Sequence, residues 1–211
     1  MDVVAVSGYY LDVFLGNNSG KFTLANTQTL YFSGGSTIYL YDLNGDGHLD
    51  IIANDLPGGR TFVLLGNGDG TFQPAVSYNT SFAWLFADMD GDGHPDLVGS
   101  RFGQGVMVSK GNPDGTFGSA ISVANIPAGD NLITVADYNA DGILDLVLYS
   151  PTGIAVALGQ GNLTYAAPVT SVAGALATPF LGIVELASSD FNGDGHNDLA
   201  MGVDGGILIL P

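Results

Sequence analysis

The chain has 211 residues, 46% of them hydrophobic, enough to bury a sizeable core, and its 32 glycines fall in turn-like clusters that suit many short strands. Twenty-one acidic residues against four basic ones give a net charge of −17, which argues against nucleic acid as a partner; twenty of the 21 are Asp, a bias that solubility does not require. There is no cysteine, hence no disulfide framework and no thiolate metal site, and no apolar run approaches the roughly 20 residues of a membrane span, so membrane insertion is not expected.

Met1-Asp2-Val3-Val4 lacks the basic and apolar stretches of a secretory signal. Asp2-Val3-Val4-Ala5-Val6 then reads as a strand, and Gly16-Asn-Asn-Ser-Gly20-Lys-Phe22 as a hairpin turn closed by an aromatic residue. The first nine-residue Asp loop follows at Asp42-Leu-Asn-Gly-Asp-Gly-His-Leu-Asp50, set between Ile38-Tyr39-Leu40-Tyr41 and Ile51-Ile52-Ala53. A second turn, Gly66-Asn-Gly-Asp-Gly70-Thr-Phe72, comes next.

The pair of landmarks then recurs. Loops lie at Asp88-Met-Asp-Gly-Asp-Gly-His-Pro-Asp96, Asp137-Tyr-Asn-Ala-Asp-Gly-Ile-Leu-Asp145 and Asp190-Phe-Asn-Gly-Asp-Gly-His-Asn-Asp198, their starts 46, 49 and 53 residues apart. Turns lie at Gly111-Asn-Pro-Asp-Gly115-Thr-Phe117 and, more weakly, at Gly159-Gln-Gly-Asn-Leu-Thr-Tyr165. Each repeat therefore holds four short strands: A before the loop, B after it, C before the turn and D after the aromatic. In the second repeat these are predicted at 37–41, 49–54, 61–66 and 71–78. Four strands per period of about 40–50 residues predict an all-β chain of propeller blades, with repeats at about 37–80, 81–127 and 128–175 and partial ones at about 1–36 and 176–211.

The Asp loops have the composition of calcium sites. Side-chain oxygens fall at positions 1, 3, 5 and 9, and the Gly at position 6 permits a tight turn, so the side chains converge on one point. The candidate ligands are Asp42, Asn44, Asp46 and Asp50; Asp88, Asp90, Asp92 and Asp96; Asp137, Asn139, Asp141 and Asp145; and Asp190, Asn192, Asp194 and Asp198. The backbone carbonyl at position 7 joins them, from His48, His94, Ile143 and His196. Hard oxygen donors with several carboxylates favour Ca²⁺ over Zn²⁺ and Mg²⁺, so about four Ca²⁺ are expected, one per loop.

An EF-hand would need a bidentate Glu at position 12, where this chain has Ala53, Gly99, Leu148 and Met201. Simple Asx turns are the other reading of any single loop. Four loops in register, absorbing 13 of the 20 aspartates, favour metal. The third loop departs most, with Ala140 for Gly and Ile143 for His. One histidine per loop, with no second imidazole nearby in sequence, suits a role through the carbonyl better than Zn²⁺ ligation or base catalysis.

Asp-x-Asn-Gly-Asp-Gly-His-x-Asp before an apolar strand, followed by Leu-Gly-Asn-Gly-Asp-Gly-Thr-Phe, resembles the FG-GAP (VCBS) repeats of integrin α-subunit propellers, bacterial surface proteins and some fungal lectins. The resemblance spans the chain and is closer to the bacterial form, since the Phe-Gly and Gly-Ala-Pro elements of integrin repeats are essentially missing. It implies a β-propeller with Ca²⁺ in each A–B hairpin.

Counting strands gives B, C, D, three full blades, then A, B, C, which predicts incomplete first and last blades. Two expectations follow: a piece of a larger propeller, or an open arc whose strand edges pair with another copy or a partner.

The leading functional expectation is a non-enzymatic, calcium-stabilised binding or adhesion module, extracellular or on the cell surface, for a protein or glycan ligand. A lectin is the first alternative, using Tyr9, Tyr10, Phe82, Trp84 and Phe102 to stack on sugars, although such aromatics also serve as blade core. A polysaccharide-degrading enzyme is the second; Glu185 lies in an apolar strand, and an acid pair such as Asp12 and Asp55 has no supporting spacing.

Overall fold

Alternating apolar residues in runs of four to eight, rich in Val, Ile and Tyr and punctuated by Gly, suit pleated strands with two buried faces. The computed structural model describes residues 2–34, 36–55, 58–80, 83–101, 103–151, 153–173, 186–195, 197–203 and 206–210. They form eighteen strands in five antiparallel meanders. The first sheet is β1 (Val3–Ser7), β2 (Tyr10–Gly16) and β3 (Phe22–Thr29). The second is β4 (Ser36–Tyr41), β5 (Asp50–Asp55), β6 (Arg60–Leu64) and β7 (Val76–Asn79). The third is β8 (Ala83–Ala87), β9 (Asp96–Arg101), β10 (Gly105–Ser109) and β11 (Ile121–Ser122). The fourth is β12 (Asn131–Ala136), β13 (Asp145–Ser150), β14 (Gly153–Ala157) and β15 (Val169–Ala173), and the fifth β16 (Leu186–Ser189), β17 (Asp198–Val203) and β18 (Gly206–Leu210).

These are propeller-type blades: three of four strands flanked, among the described residues, by two of three, as counting the repeats predicts. In the second sheet the expected bounds shift by one or two residues for the first three strands. The fourth starts at Val76 rather than 71. Phe72 makes a single bridge to Gly66 and Gln73 N–H reaches Leu65 O, but Pro74 has no N–H to continue the ladder. Pro168 sits just ahead of β15 in the same way. Ahead of the fourth loop β16 is described from Leu186; Glu185, read from sequence as part of an apolar strand, lies outside the described residues.

Two compact units result. One comprises residues 1–84, 94–97 and 109–120, the other 85–93, 98–108 and 121–211. In the first unit, Leu11 and Val13 of β2 pack with Ile51 and Ala53 of β5 and with Phe62 and Leu64 of β6. In the second, Leu146 and Leu148 of β13 join Val98, Val106 and Val108, while Val147, on the opposite face, joins Leu199 and Met201 of β17. Period-2 alternation thus sends successive residues of one strand into two different cores, which is why β5 and most of β13 are buried on both faces. Each fully buried Leu or Ile contributes about 1.5–3 kcal/mol.

Candidate metal centre

Each Asp loop joins the A and B strands of its sheet. At the first, Tyr41 ends β4 opposite Asp50, which begins β5. The chain reverses here because glycines at positions 4 and 6 adopt positive φ: Gly45 and Gly47 at 72° and 86°, Gly91 and Gly93 at 77° and 89°, Gly193 and Gly195 at 79° and 91°. Ala140 takes the same conformation, φ 60°, where Gly142 follows at 85°.

Within the loop the position-1 carboxylate gathers backbone donors. Asp46 N–H and Gly47 N–H donate to the two oxygens of Asp42 at 3.1 and 2.9 Å. Gly93 N–H donates to Asp88, Gly142 N–H to Asp137 and Gly195 N–H to Asp190, at 2.8, 2.8 and 3.0 Å. Positions 3 and 5 are tied together, Asn44 Nδ2 to Asp46, Asn139 Nδ2 to Asp141 and Asn192 Nδ2 to Asp194, at 2.9, 2.9 and 3.0 Å. Two exposed loop carboxylates, Asp46 at position 5 and Asp190 at position 1, are biased toward the charged form. The His48 N–H and then the Asn44 amide lower the pKa of Asp46, and the Gly195 and Gly193 N–H groups lower that of Asp190.

Position 9 is different in kind. Asp50, Asp96 and Asp145 are fully buried, and Asp198 nearly so. Asp50 accepts Leu43 N–H at 2.8 Å on one oxygen and Gly66 N–H at 2.7 Å on the other. Asp145 repeats this with Tyr138 and Gly159, at 2.9 and 2.8 Å. Asp96 accepts Gly111 N–H, and Asp2 accepts Gly16 N–H, at 2.8 and 2.9 Å. Burial raises the pKa of Asp50 although the Gly66 and Leu43 N–H groups pull it down. This carboxylate therefore pins the loop to the following Gly-Asn turn.

The pin explains why that turn begins with glycine. A Cβ on Gly66, Gly111 or Gly159 would collide with the carbonyl of Leu49, Pro95 or Leu144, the residue just before the buried Asp. The sequence showed both landmarks in fixed phase but not this link; the recurring distance from Asp2 to Gly16, Asp50 to Gly66, Asp96 to Gly111 and Asp145 to Gly159 is the signal that marks it. At Asp198 the Phe191 N–H occupies Oδ2 at 2.8 Å, and Oδ1 is buried without a partner among the described residues.

The donor set fits a hard cation. Carboxylate oxygens of Asp88, Asp90 and Asp96 lie within 4.8 Å of one another, about twice the Ca²⁺–oxygen distance. The chain's four basic residues, Lys21, Arg60, Arg101 and Lys110, all fall outside the loops. The two described imidazoles lie against different turns. His48 lies over Gly68 of the neighbouring turn and His94 has its Cβ near Gly111, while His196 lies outside the described residues. Asn197 of the fourth loop donates to the backbone carbonyl of Asp137 in the third at 3.2 Å.

Four overlapping matches to the model of the FG-GAP-like repeat cover residues 1–53, 42–99, 88–148 and 137–201; each ends just past an Asp loop, and the last three begin on one. The chain belongs to the FG-GAP-like repeat family. Among curated relatives, this FG-GAP-like chain is similar to phosphatidylinositol-glycan-specific phospholipase D of Homo sapiens, 28% identical over 184 residues, and of Rattus norvegicus, 27% over 183. Both alignments cover 76% of this chain and only 17% of the relative. Among solved structures it is similar to a lectin of Agrocybe aegerita described as recognising non-reducing terminal N-acetylglucosamine, with a TM-score of 0.70 and 25% identity, over 99% of this chain and 59% of that one.

The aromatic candidates divide. Tyr9 and Tyr10 are exposed at the β1–β2 hairpin, Trp84 lies in β8, and Phe82 and Phe102 lie outside the described residues. The acids Asp12 and Asp55 have partners of their own: Thr27 Oγ1 donates to Asp12 at 2.7 Å, and Asp55 is ion-paired to Arg60 at 2.8 Å.

Proposed function

We propose that this chain is a calcium-stabilised, non-enzymatic binding module that works outside the cell or at its surface. The observation that carries the reading is the convergence of three carboxylates at loop positions 1, 3 and 9, those of Asp88, Asp90 and Asp96. Such a group repels itself unless a cation offsets it. Side chains at these positions and the carbonyl at position 7 would hold Ca²⁺ in each loop, and the bound ion supplies the compensating charge. Extracellular millimolar Ca²⁺ is enough to fill sites of modest affinity.

Removing calcium tests this directly. Each site occupied at 100 times its Kd adds about 2.7 kcal/mol to stability, so chelation lowers Tm markedly, and calorimetric titration of the apo protein returns about four ions. An unchanged Tm in EDTA overturns the reading.

A lectin activity is the second reading, favoured by the likeness to the Agrocybe aegerita lectin. A glycan array probed with the Ca²⁺-loaded chain tests it, and an array without hits removes it. The catalysis of the phospholipase D relatives is not carried over, since the shared region is 17% of their length.

A further inference from the structure

The end of the first two sheets opposite the Asp loops departs from the repeat. A cavity of about 630 Å³ there is lined by Val6, Gly8, Tyr9, Phe32, Ser33, Gly34 and Ser36, with no charged side chain among them, in a chain of net charge −17. Tyr9 stands beside Tyr31, ring centroids 5.7 Å apart and planes tilted by 48°, and the two are 57% and 65% exposed.

Tyr31 is held in a costly conformation. Its φ of 51° is one that a bulky L-residue avoids, and such strain persists only where surrounding contacts enforce it. Arg60 supplies that contact, donating one hydrogen bond to Tyr31 O at 2.7 Å and another to Asp55 at 2.8 Å. Asp55, fully buried, also accepts Ser33 N–H at 2.9 Å and the Ser33 hydroxyl at 3.1 Å. The clasp is not part of the repeat, because the positions matching Asp55 in the next three repeats are Arg101, Ser150 and Val203. A strained exposed aromatic residue and a non-repeated, part-buried ion pair thus converge on one uncharged cavity.

We propose that this cavity binds a neutral saccharide, with a pyranose ring against Tyr9 and Tyr31; the proposal rests on the lectin reading above. The hydroxyl chemistry selects the ligand. Ser33 already donates its proton to Asp55, and Ser36 donates its own to Gly34 O at 3.0 Å, so both present only lone pairs to the cavity. A sugar brings hydroxyl donors for those acceptors and C–H faces for the rings, whereas a proline-rich peptide brings few donors and an anionic ligand meets an acidic protein. Arg60 and Asp55 act as positioning residues, fixing Tyr31 and Ser33 without touching the ligand.

The test titrates the full Ca²⁺-loaded chain with glucose, N-acetylglucosamine, galactose and mannose, followed by saturation-transfer NMR and calorimetry. At least one sugar binds, and a Tyr9→Ala/Tyr31→Ala double variant weakens it tenfold or more, while Tyr41→Ala, at an exposed tyrosine outside the cavity, leaves it unchanged. Tyr31→Gly separates binding from folding: it relieves the positive φ, so Tm holds or rises, yet it also loses affinity. Sugar binding that survives the double variant overturns this site and leaves the lectin reading intact. No binding to any sugar here or on the glycan array overturns both, and a proline-rich peptide bound at the two tyrosines in place of sugar overturns the assigned ligand.

Discussion

Strand β5 begins and ends on a fully buried aspartate, and the two are held in opposite ways. Asp50, at the loop end, has only backbone N–H partners, and burial raises its pKa. Asp55, at the far end, feels the same burial, but Arg60 and the Ser33 and Gly58 N–H groups outweigh it and leave its pKa lowered. The first arrangement recurs in full at Asp145 because it uses only a loop N–H and a turn glycine, which the repeat supplies. The second needs one particular Arg, and it occurs where the chain departs from its repeat. Regularity marks what holds the blades, and irregularity marks where something else is selected.

Removing the pin has the largest expected effect. Asp50→Ala leaves the Leu43 and Gly66 N–H groups without an acceptor and opens a cavity, costing about 3–5 kcal/mol in denaturant unfolding. The loss should persist in EDTA; a variant destabilised only when Ca²⁺ is present would make Asp50 a metal ligand and nothing more.

Asp55→Asn comes next, at about 2 kcal/mol near neutral pH, moderated because the Arg60 side chain is 36% exposed. The sign follows from the lowered pKa. Asp55 contributes stability that is fully present above its unfolded value of 3.8 and is lost as pH falls through the folded value. Wild type and Asp55→Asn should therefore converge in stability as the pH is taken below 3.8, and parallel curves through that range would break the contrast between the two ends of β5.

The smallest change sharpens the comparison among loops. Ala140 occupies a positive-φ position that Gly45, Gly91 and Gly193 fill in the other three. Ala140→Gly should stabilise the chain by about 1 kcal/mol, read as a rise in Tm, and no gain would mean that the third loop relieves its strain elsewhere.

The strand count, the blade type and the placement of every Asp loop were legible in the sequence, because they rest on local chemistry: period-2 alternation, glycines where φ must be positive, and a spacing repeated four times. The short strand D was legible in principle, from Pro74 and Pro168. What the sequence could not separate was the roles of chemically identical aspartates. Position 1 and position 9 look alike as residues, yet Asp42 is only half-buried and Asp50 is sealed between a loop N–H and a turn glycine sixteen residues on. Nor could it show that Arg60 reaches back to Tyr31 and Asp55, a contact across 29 residues that strains a tyrosine into the open. Burial and hydrogen-bond partnership are properties of the packed chain, so only the tertiary structure assigned them.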